Sequence, residues 1–247
     1  MSAFDYFNNR HTVRNYLDKD IPLSQIEKML EAAAHAPNTG NMQWYSVIIT
    51  RDKEQKQRLA PAHFNQPSVC GASAVLTFCI DIRRFEHWCR LNNAVPGFNN
   101  FQSFVAAIID TSLFAQQFCT ISEMDGYGTC YLGTTTYNAP QIAEILGLPE
   151  RVVPVTTITL GIPTPDESAG PTTRLPIQSL VHEETYKDAT DDEIKEWYKQ
   201  IETESQHFVD VNGKETLAQV FTDIRYPRES AEYFSKVYSE FLKKNKF

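Results

Sequence analysis

Residues 101–124 read FQSFVAAIIDTSLFAQQFCTISEM, the longest apolar run at helical spacing in the chain. Phe104, Val105, Ile108, Ile109, Ser112, Leu113, Ala115, Phe118, Cys119 and Ile121 cover nearly the whole circumference of a helix. A helix that is apolar all round is a buried one. The pattern predicts a central helix that the other elements wrap. Ala106, Ala107, Ser112 and Ala115 would let a second helix approach it closely. Core packing accounts for this stretch, and no direct catalytic role is expected of it.

Strand-like runs lie on both sides of that helix. Residues 44–50 and 72–81 precede it, and 126–133 and 152–161 follow. Three of the four are dense in β-branched and aromatic residues, as buried strands are. The fourth, 126–133, is short and ends in glycine. Helical patterns fill the spaces between. One opens at Pro22-Leu23-Ser24 and is stopped by Pro37, with Ile26, Met29, Leu30 and Ala33 on its packed side. Others cover about 53–59 and 81–88. A further one starts at Asn138-Ala139-Pro140, with Asn138 as N-cap, and ends at Gly147. After residue 182 come an acidic helix starting near Thr190 and a last helix over about 228–242. Residues 63–67, 94–101 and 163–171 read as loops, and 177–181 as a short strand or extended arm. Helices come first, then strands alternating with helices, then helices again. That order predicts an α+β fold, a few-stranded sheet around one long helix, in a single domain.

Bulk properties narrow the partners. The 247 residues carry a formal charge of −8, which disfavours nucleic acid or an anionic membrane. Five cysteines, Cys70, Cys79, Cys89, Cys119 and Cys130, are widely spaced and odd in number. They suggest free thiols in a reducing cytoplasm rather than a disulfide framework or zinc site. No signal peptide and no stretch of membrane-spanning length is expected. The Gly126/Gly128/Gly133 spacing is not a dinucleotide fingerprint, and P-loop, Gly-x-Ser-x-Gly and HExxH patterns are absent from the sequence. No metal site is expected.

Against that acidic background, Arg10-His11-Thr12-Val13-Arg14 stands out. In an extended segment Arg10, Thr12 and Arg14 would point one way, and His11 and Val13 the other. Guanidinium forks and a hydroxyl so arranged suit a phosphate. A solvated basic turn is the other reading of the same five residues. Further polar loops stand at element ends: 37–41, Gln66, 131–134 and 172–174. If they converge, they offer three arginines to a phosphate and amides, hydroxyls and backbone N–H groups to a polar ring edge. Those are the requirements of a flavin mononucleotide.

The motifs in order are Arg-His-Thr-Val-Arg, the loop Ala36-Pro37-Asn38-Thr39-Gly40-Asn41-Met42-Gln43, Tyr131-Leu132-Gly133, and Leu160-Gly161-Ile162-Pro163 leading to Thr173-Arg174-Leu175-Pro176. With them the chain resembles the FMN-dependent nitroreductase and flavin reductase family, in particular its oxygen-insensitive NAD(P)H nitroreductase branch. The resemblance runs from about residue 4 to 182, and 183–247 would be a helical extension. It implies a mostly antiparallel central sheet flanked by helices, in an intertwined homodimer with two FMN sites at the subunit interface. It also implies ping-pong hydride transfer from NADH or NADPH through FMN to a small-molecule acceptor: a nitroaromatic, a quinone or a free flavin.

Carried over residue by residue, the resemblance implies that Arg10, His11, Thr12 and Arg14 hold phosphate and ribityl oxygens. It implies that Asn38, Thr39 and Asn41 line the flavin, that Gln66 faces the ring or ribityl chain, that Tyr131, Leu132 and Gly133 present backbone groups, and that Arg174 reaches the phosphate. Many relatives carry a lysine where this chain has Thr172, which weakens one phosphate contact. Arg225 and Arg228 are either NADPH-phosphate contacts or exposed helix-end arginines. The cofactor carries the chemistry in such enzymes, so no catalytic side chain is expected. A flavin-binding protein of the same fold without reductase turnover, or a dehalogenase or dehydrogenase variant of it, would show the same motifs.

Overall fold

The computed structural model describes residues 2–165 and 170–247. Residues 166–169 of the predicted 163–171 loop lie outside the described residues. In chain order the helices are α1 (Ala3–Asn9), α2 (Leu23–Ala33), α3 (Lys53–Leu59), α4 (Pro67–Gly71), α5 (Ile82–Leu91), α6 (Phe101–Met124), α7 (Ala139–Leu146), α8 (Asp191–Glu204), α9 (Gln206–Val211), α10 (Leu217–Gln219) and α11 (Arg228–Lys244). The strands are β1 (Tyr45–Thr50), β2 (Ala74–Asp81), β3 (Gly128–Leu132) and β4 (Val152–Gly161). They form one sheet in the order β1-β2-β4-β3, and every neighbouring pair is antiparallel. The α+β architecture with an antiparallel sheet and one long helix is the one the sequence predicts.

Side chains alternate across the sheet. Leu76, Phe78, Ile158 and Leu160 face α6, where Phe114, Ala115 and Phe118 meet them with Ile26, Met29 and Ala33 of α2. Val75, Cys130 and Leu132 face the other way, against Leu59, Val69 and Ile142. Each fully buried large side chain contributes about 1.5–3 kcal/mol relative to exposure, so the strands are held between two apolar layers. The chain forms two compact units: Met1–Ala169 with Phe234–Phe247, and Gly170–Tyr233.

Two properties of α6 correct the sequence reading. It is long and apolar enough to cross a membrane by composition alone, contrary to the expectation that no stretch is. Its packing against the sheet makes it a core helix instead. Nor is it buried all round: Phe101, Ile109, Leu113 and Met124 stay exposed in the single chain, with Ile109 at 53%.

Smaller differences have local causes. The segment before Arg10 is a helix, started by a capping box between Ser2 and Asp5. Pro22 is the N-cap residue of α2, one position before its first turn, and makes no side-chain cap bond. Asn138 makes no side-chain cap bond on α7, because its Nδ2 donates instead to the Ala62 carbonyl at 2.8 Å. Residues 60–67, read in part as a loop, form a short 3-10 turn over Ala60–His63 and then α4. The expected strand or arm at 177–181 is a 3-10 turn over Ile177–Ser179.

The N-terminal segment is fastened along β3 and β4. The Val13 N–H donates to the Thr129 carbonyl at 3.0 Å, and the Leu17 N–H to that of Ile162 at 2.8 Å. Tyr16 forms a bridge with Pro163 and donates its hydroxyl to the Val13 carbonyl at 2.8 Å. Two glycines make this approach possible. A Cβ on Gly128 would stand 2.5 Å from Val13 Cγ1, and one on Gly161 would stand 2.5 Å from the Tyr16 ring. Any larger residue at either position would displace the segment that carries Arg10–Arg14.

Candidate functional site

The basic segment does not present its two arginines alike. Arg10 is the C-cap residue of α1, and its guanidinium grips Glu123 near the end of α6. Nε donates to Oε2 at 3.1 Å and Nη2 to Oε1 at 3.0 Å, a bidentate pair. Glu123 also accepts from the Tyr6 hydroxyl at 2.8 Å, from the Thr129 hydroxyl, and from the Cys119 thiol at 3.4 Å. Burial and this carboxylate push the Cys119 thiol up to about 11, so it stays protonated. Val13 turns into the core, which the alternation of side chains did not by itself predict.

Arg14 is exposed and has no carboxylate partner among the described residues. Its guanidinium lies beside the Cys130 thiol on β3, which burial pushes up while Arg14 and Arg10 pull it down. His11 and Thr12 are half-buried, and His11 Nδ1 is 3.4 Å from the Asn9 carbonyl. Arg10 and His11 border a cleft of about 370 Å³ formed with Tyr127, Pro163 and Thr164.

From Thr129, where Val13 docks, β3 runs on to the other expected contacts. Tyr131 is half-buried opposite Ile158 and burial raises its phenol; Leu132 is buried; Gly133 is exposed. Strand rise puts Gly133 roughly 13 Å beyond Thr129. Nothing stands within 4 Å of a Cβ built on Gly133, so the backbone there is open. The turn after it is tied to the Gln66 loop: His63 Nδ1 and Thr134 Oγ1 are 2.9 Å apart. Gln66 is the N-cap residue of α4 and half-buried. Arg10–Arg14, Gln66 and Tyr131–Gly133 therefore belong to one edge of the sheet.

The remaining residues lie elsewhere. Asn38, Thr39 and Asn41 precede β1, at the opposite edge of the four-stranded sheet. Three strand spacings, about 14 Å, separate the two edges. Their loop is pinned to α6 by Asp110, which is buried: the Thr39 N–H donates to its Oδ1 and Oδ2 at 2.9 and 3.0 Å, and the Thr39 hydroxyl to Oδ1 at 2.9 Å. Asn41 and Gln43 take left-handed backbone conformations, at φ 56° and 52°. Arg174 belongs to the second unit, is exposed, and donates to the Thr172 carbonyl at 3.3 Å.

Asp110, Glu123 and His63 support these loops and were not singled out in the sequence. The first two had a visible signal: they are the only carboxylates in residues 101–124, and buried carboxylates persist only when hydrogen-bonded. His63 is fully buried, which depresses its imidazole to about 4. The unfolded chain, titrating near 6.5, binds a proton first as pH falls. The neutral-His63 contribution is thus complete above about 6.5 and is lost progressively down to about 4, by about 2–4 kcal/mol. His63→Asn should flatten the stability profile across that window in urea titrations. An unchanged slope between wild type and variant would contradict the assignment.

A four-stranded antiparallel sheet packed against one long helix defines an α+β fold. The family model described as "Nitroreductase family" matches residues 8–162. A Cr(VI) reductase from Pseudomonas sp. (strain G-1) is 30% identical over 182 residues, 74% of each chain. An FMN reductase (NADPH) from Bacillus subtilis (strain 168) is 29% identical over 186 residues, again 74% of each. A crystal structure from Bacteroides fragilis NCTC 9343, titled as that of an oxidoreductase, is 47% identical with a TM-score of 0.94, covering 98% of this chain and 99% of that one. The chain belongs to the nitroreductase family.

Proposed function

We propose that this protein is an FMN-dependent NAD(P)H oxidoreductase that reduces nitroaromatics, quinones or flavins, acting as a homodimer in the cytoplasm. The observation that carries the reading is the edge just described, where Arg14, without a carboxylate partner among the described residues, lies beside Cys130 of β3, the strand that ends just before the open backbone at Gly133. The donor set fits FMN: a guanidinium, an imidazole and a hydroxyl for phosphate, then backbone groups for a hydrogen-bonding ring. When bound, FMN supplies the acceptance and delivery of hydride.

The chain's own residues position and shield. Arg14, His11 and Thr12 would hold the phosphate end. Tyr131, Leu132 and Gly133 would offer backbone groups to the ring, and Gln66 would orient it or the ribityl chain. Arg10 would act mainly through Glu123, keeping the segment in place. Arg174 would add a cation to the phosphate.

The division of the expected residues between two sheet edges supports a dimer. A second copy would bring its Asn38–Asn41 loop to the β3 edge that one chain leaves incomplete. The exposed stripe of Phe101, Ile109 and Leu113 along α6 gives such a copy an apolar seat.

The test is reduction under nitrogen. Purified protein loaded with FMN is mixed with NADPH or NADH, and the flavin absorbance band is followed. The band should bleach within the mixing experiment and return when a nitrofuran or quinone is added. A yellow protein that does not bleach would be a flavin carrier without turnover. One that takes up no FMN would overturn the proposal altogether.

A further inference from the structure

We propose that Phe64 is a specificity-determining residue of this site, an aromatic wall that favours planar aromatic acceptors over compact inorganic oxyanions. The inference rests on the functional reading above and deepens it. Phe64 is 53% exposed, so its burial stabilises the fold little. Its backbone is left-handed, at φ 53° and ψ 35°, and that of the next residue, Asn65, is left-handed too. Asn tolerates this region; a bulky aromatic does so only at a cost. The backbone conformation at this position therefore gives no reason for phenylalanine. Strained residues of this kind cluster where a side chain must be aimed.

The ring is also held. Tyr137 and Phe234 stack on each other at 4.7 Å and 12°. Phe64 stands steeply inclined to both, at 6.4 Å and 62° from Tyr137 and 5.9 Å and 72° from Phe234. Near-equal distances to two stacked rings place Phe64 alongside the stack, not on top of it. One flank is thereby supported and the other left to solvent. Three aromatic side chains thus make a rigid mount with one open surface.

Its location ties it to the site. Phe64 stands two residues before Gln66 and one after His63, whose ring meets Thr134 in the turn that follows Gly133. Tyr137 belongs to that same turn region before α7. Two of the three rings therefore stand on the loops that carry Gln66 and Gly133, with Phe234 of α11 behind them, and a planar acceptor reaching the ring end of the site would pass the open flank. Offset stacking rewards a planar π-system and gives nothing to a tetrahedral oxyanion.

The experiment compares FMN-loaded wild type, Phe64→Ala, Phe64→Asn and Phe64→Tyr. Each is assayed with a nitrofuran and with chromate. The ratio of kcat/KM for the nitrofuran to that for chromate should fall roughly tenfold in Phe64→Ala and Phe64→Asn, through KM, and be retained in Phe64→Tyr. Phe64→Asn removes the ring while suiting the left-handed backbone, so its result does not depend on strained folding. A second readout is equilibrium dialysis of 2-naphthoate, a planar aromatic that is not reduced, whose dissociation constant should rise in the same two variants. An unchanged ratio with unchanged 2-naphthoate binding would overturn the proposal. So would a fall in both activities by the same factor, which would give Phe64 a structural role. Failure of the wild type to reduce any acceptor would instead refute the functional reading, and is distinguished by that control.

Discussion

Glu123→Ala should lower the stability of the protein by about 2–4 kcal/mol, between the values for exposed and fully buried ion pairs. The Arg10 side chain is 23% exposed and that of Glu123 10%, so neither charge is well solvated. Removing the carboxylate strands the guanidinium in this setting and leaves the hydroxyls of Tyr6 and Thr129 without the acceptor they use here. Arg10→Ala should cost less, because Glu123 would keep donors from Tyr6, Thr129 and Cys119. That asymmetry is the signature of Glu123 as the hub. A double-mutant cycle by urea unfolding should give a coupling of about 1–3 kcal/mol between the two residues. Equal small losses in both single variants would show the pair to be an ordinary surface contact. FMN retention should weaken in Glu123→Ala as well, because the carboxylate anchors the segment that leads to Arg14.

The same residues show where sequence reading succeeds and where it stops. The strands and the long helix were legible because apolar periodicity and β-branched runs are set by burial, which acts residue by residue. The commitment of Arg10 to Glu123 was not legible, since the two residues are 113 positions apart and nothing local pairs them. Local spacing also missed that Asn138 reaches across to Ala62 instead of capping its own helix. The exposed stripe on α6 was hidden for a different reason. An exposed apolar stripe has the same composition as a buried one, so a sequence cannot tell the two apart. The split of the residues expected to line a flavin between opposite sheet edges became visible only with strand order, because crossover connections carry no local signal. Motif order supplied the family, and physics then divided the motif's two arginines into one held by a carboxylate and one with no carboxylate partner among the described residues.

That division makes the second large effect specific. Arg14→Ala should leave the fold intact, because its exposed side chain makes no carboxylate pair among the described residues. FMN affinity should nevertheless fall by roughly 10–150-fold, the equivalent of a charge-assisted hydrogen bond worth about 1.5–3 kcal/mol. Titration of FMN into apo-protein, followed by flavin fluorescence, reads this directly. Riboflavin, which lacks the phosphate, supplies the discriminating comparison. If Arg14 pairs with phosphate, its removal should hardly change riboflavin affinity, and wild type should lose its preference for FMN as ionic strength rises. Arg14→Lys should recover only part of the loss, since an ammonium keeps the charge and gives up the bidentate fork. Equal losses for FMN and riboflavin in Arg14→Ala would mean that the residue shapes the strand edge and not the phosphate pocket. Arg10→Ala should show the opposite pattern, lowering both affinities together, because its effect passes through Glu123 and the placement of the whole segment.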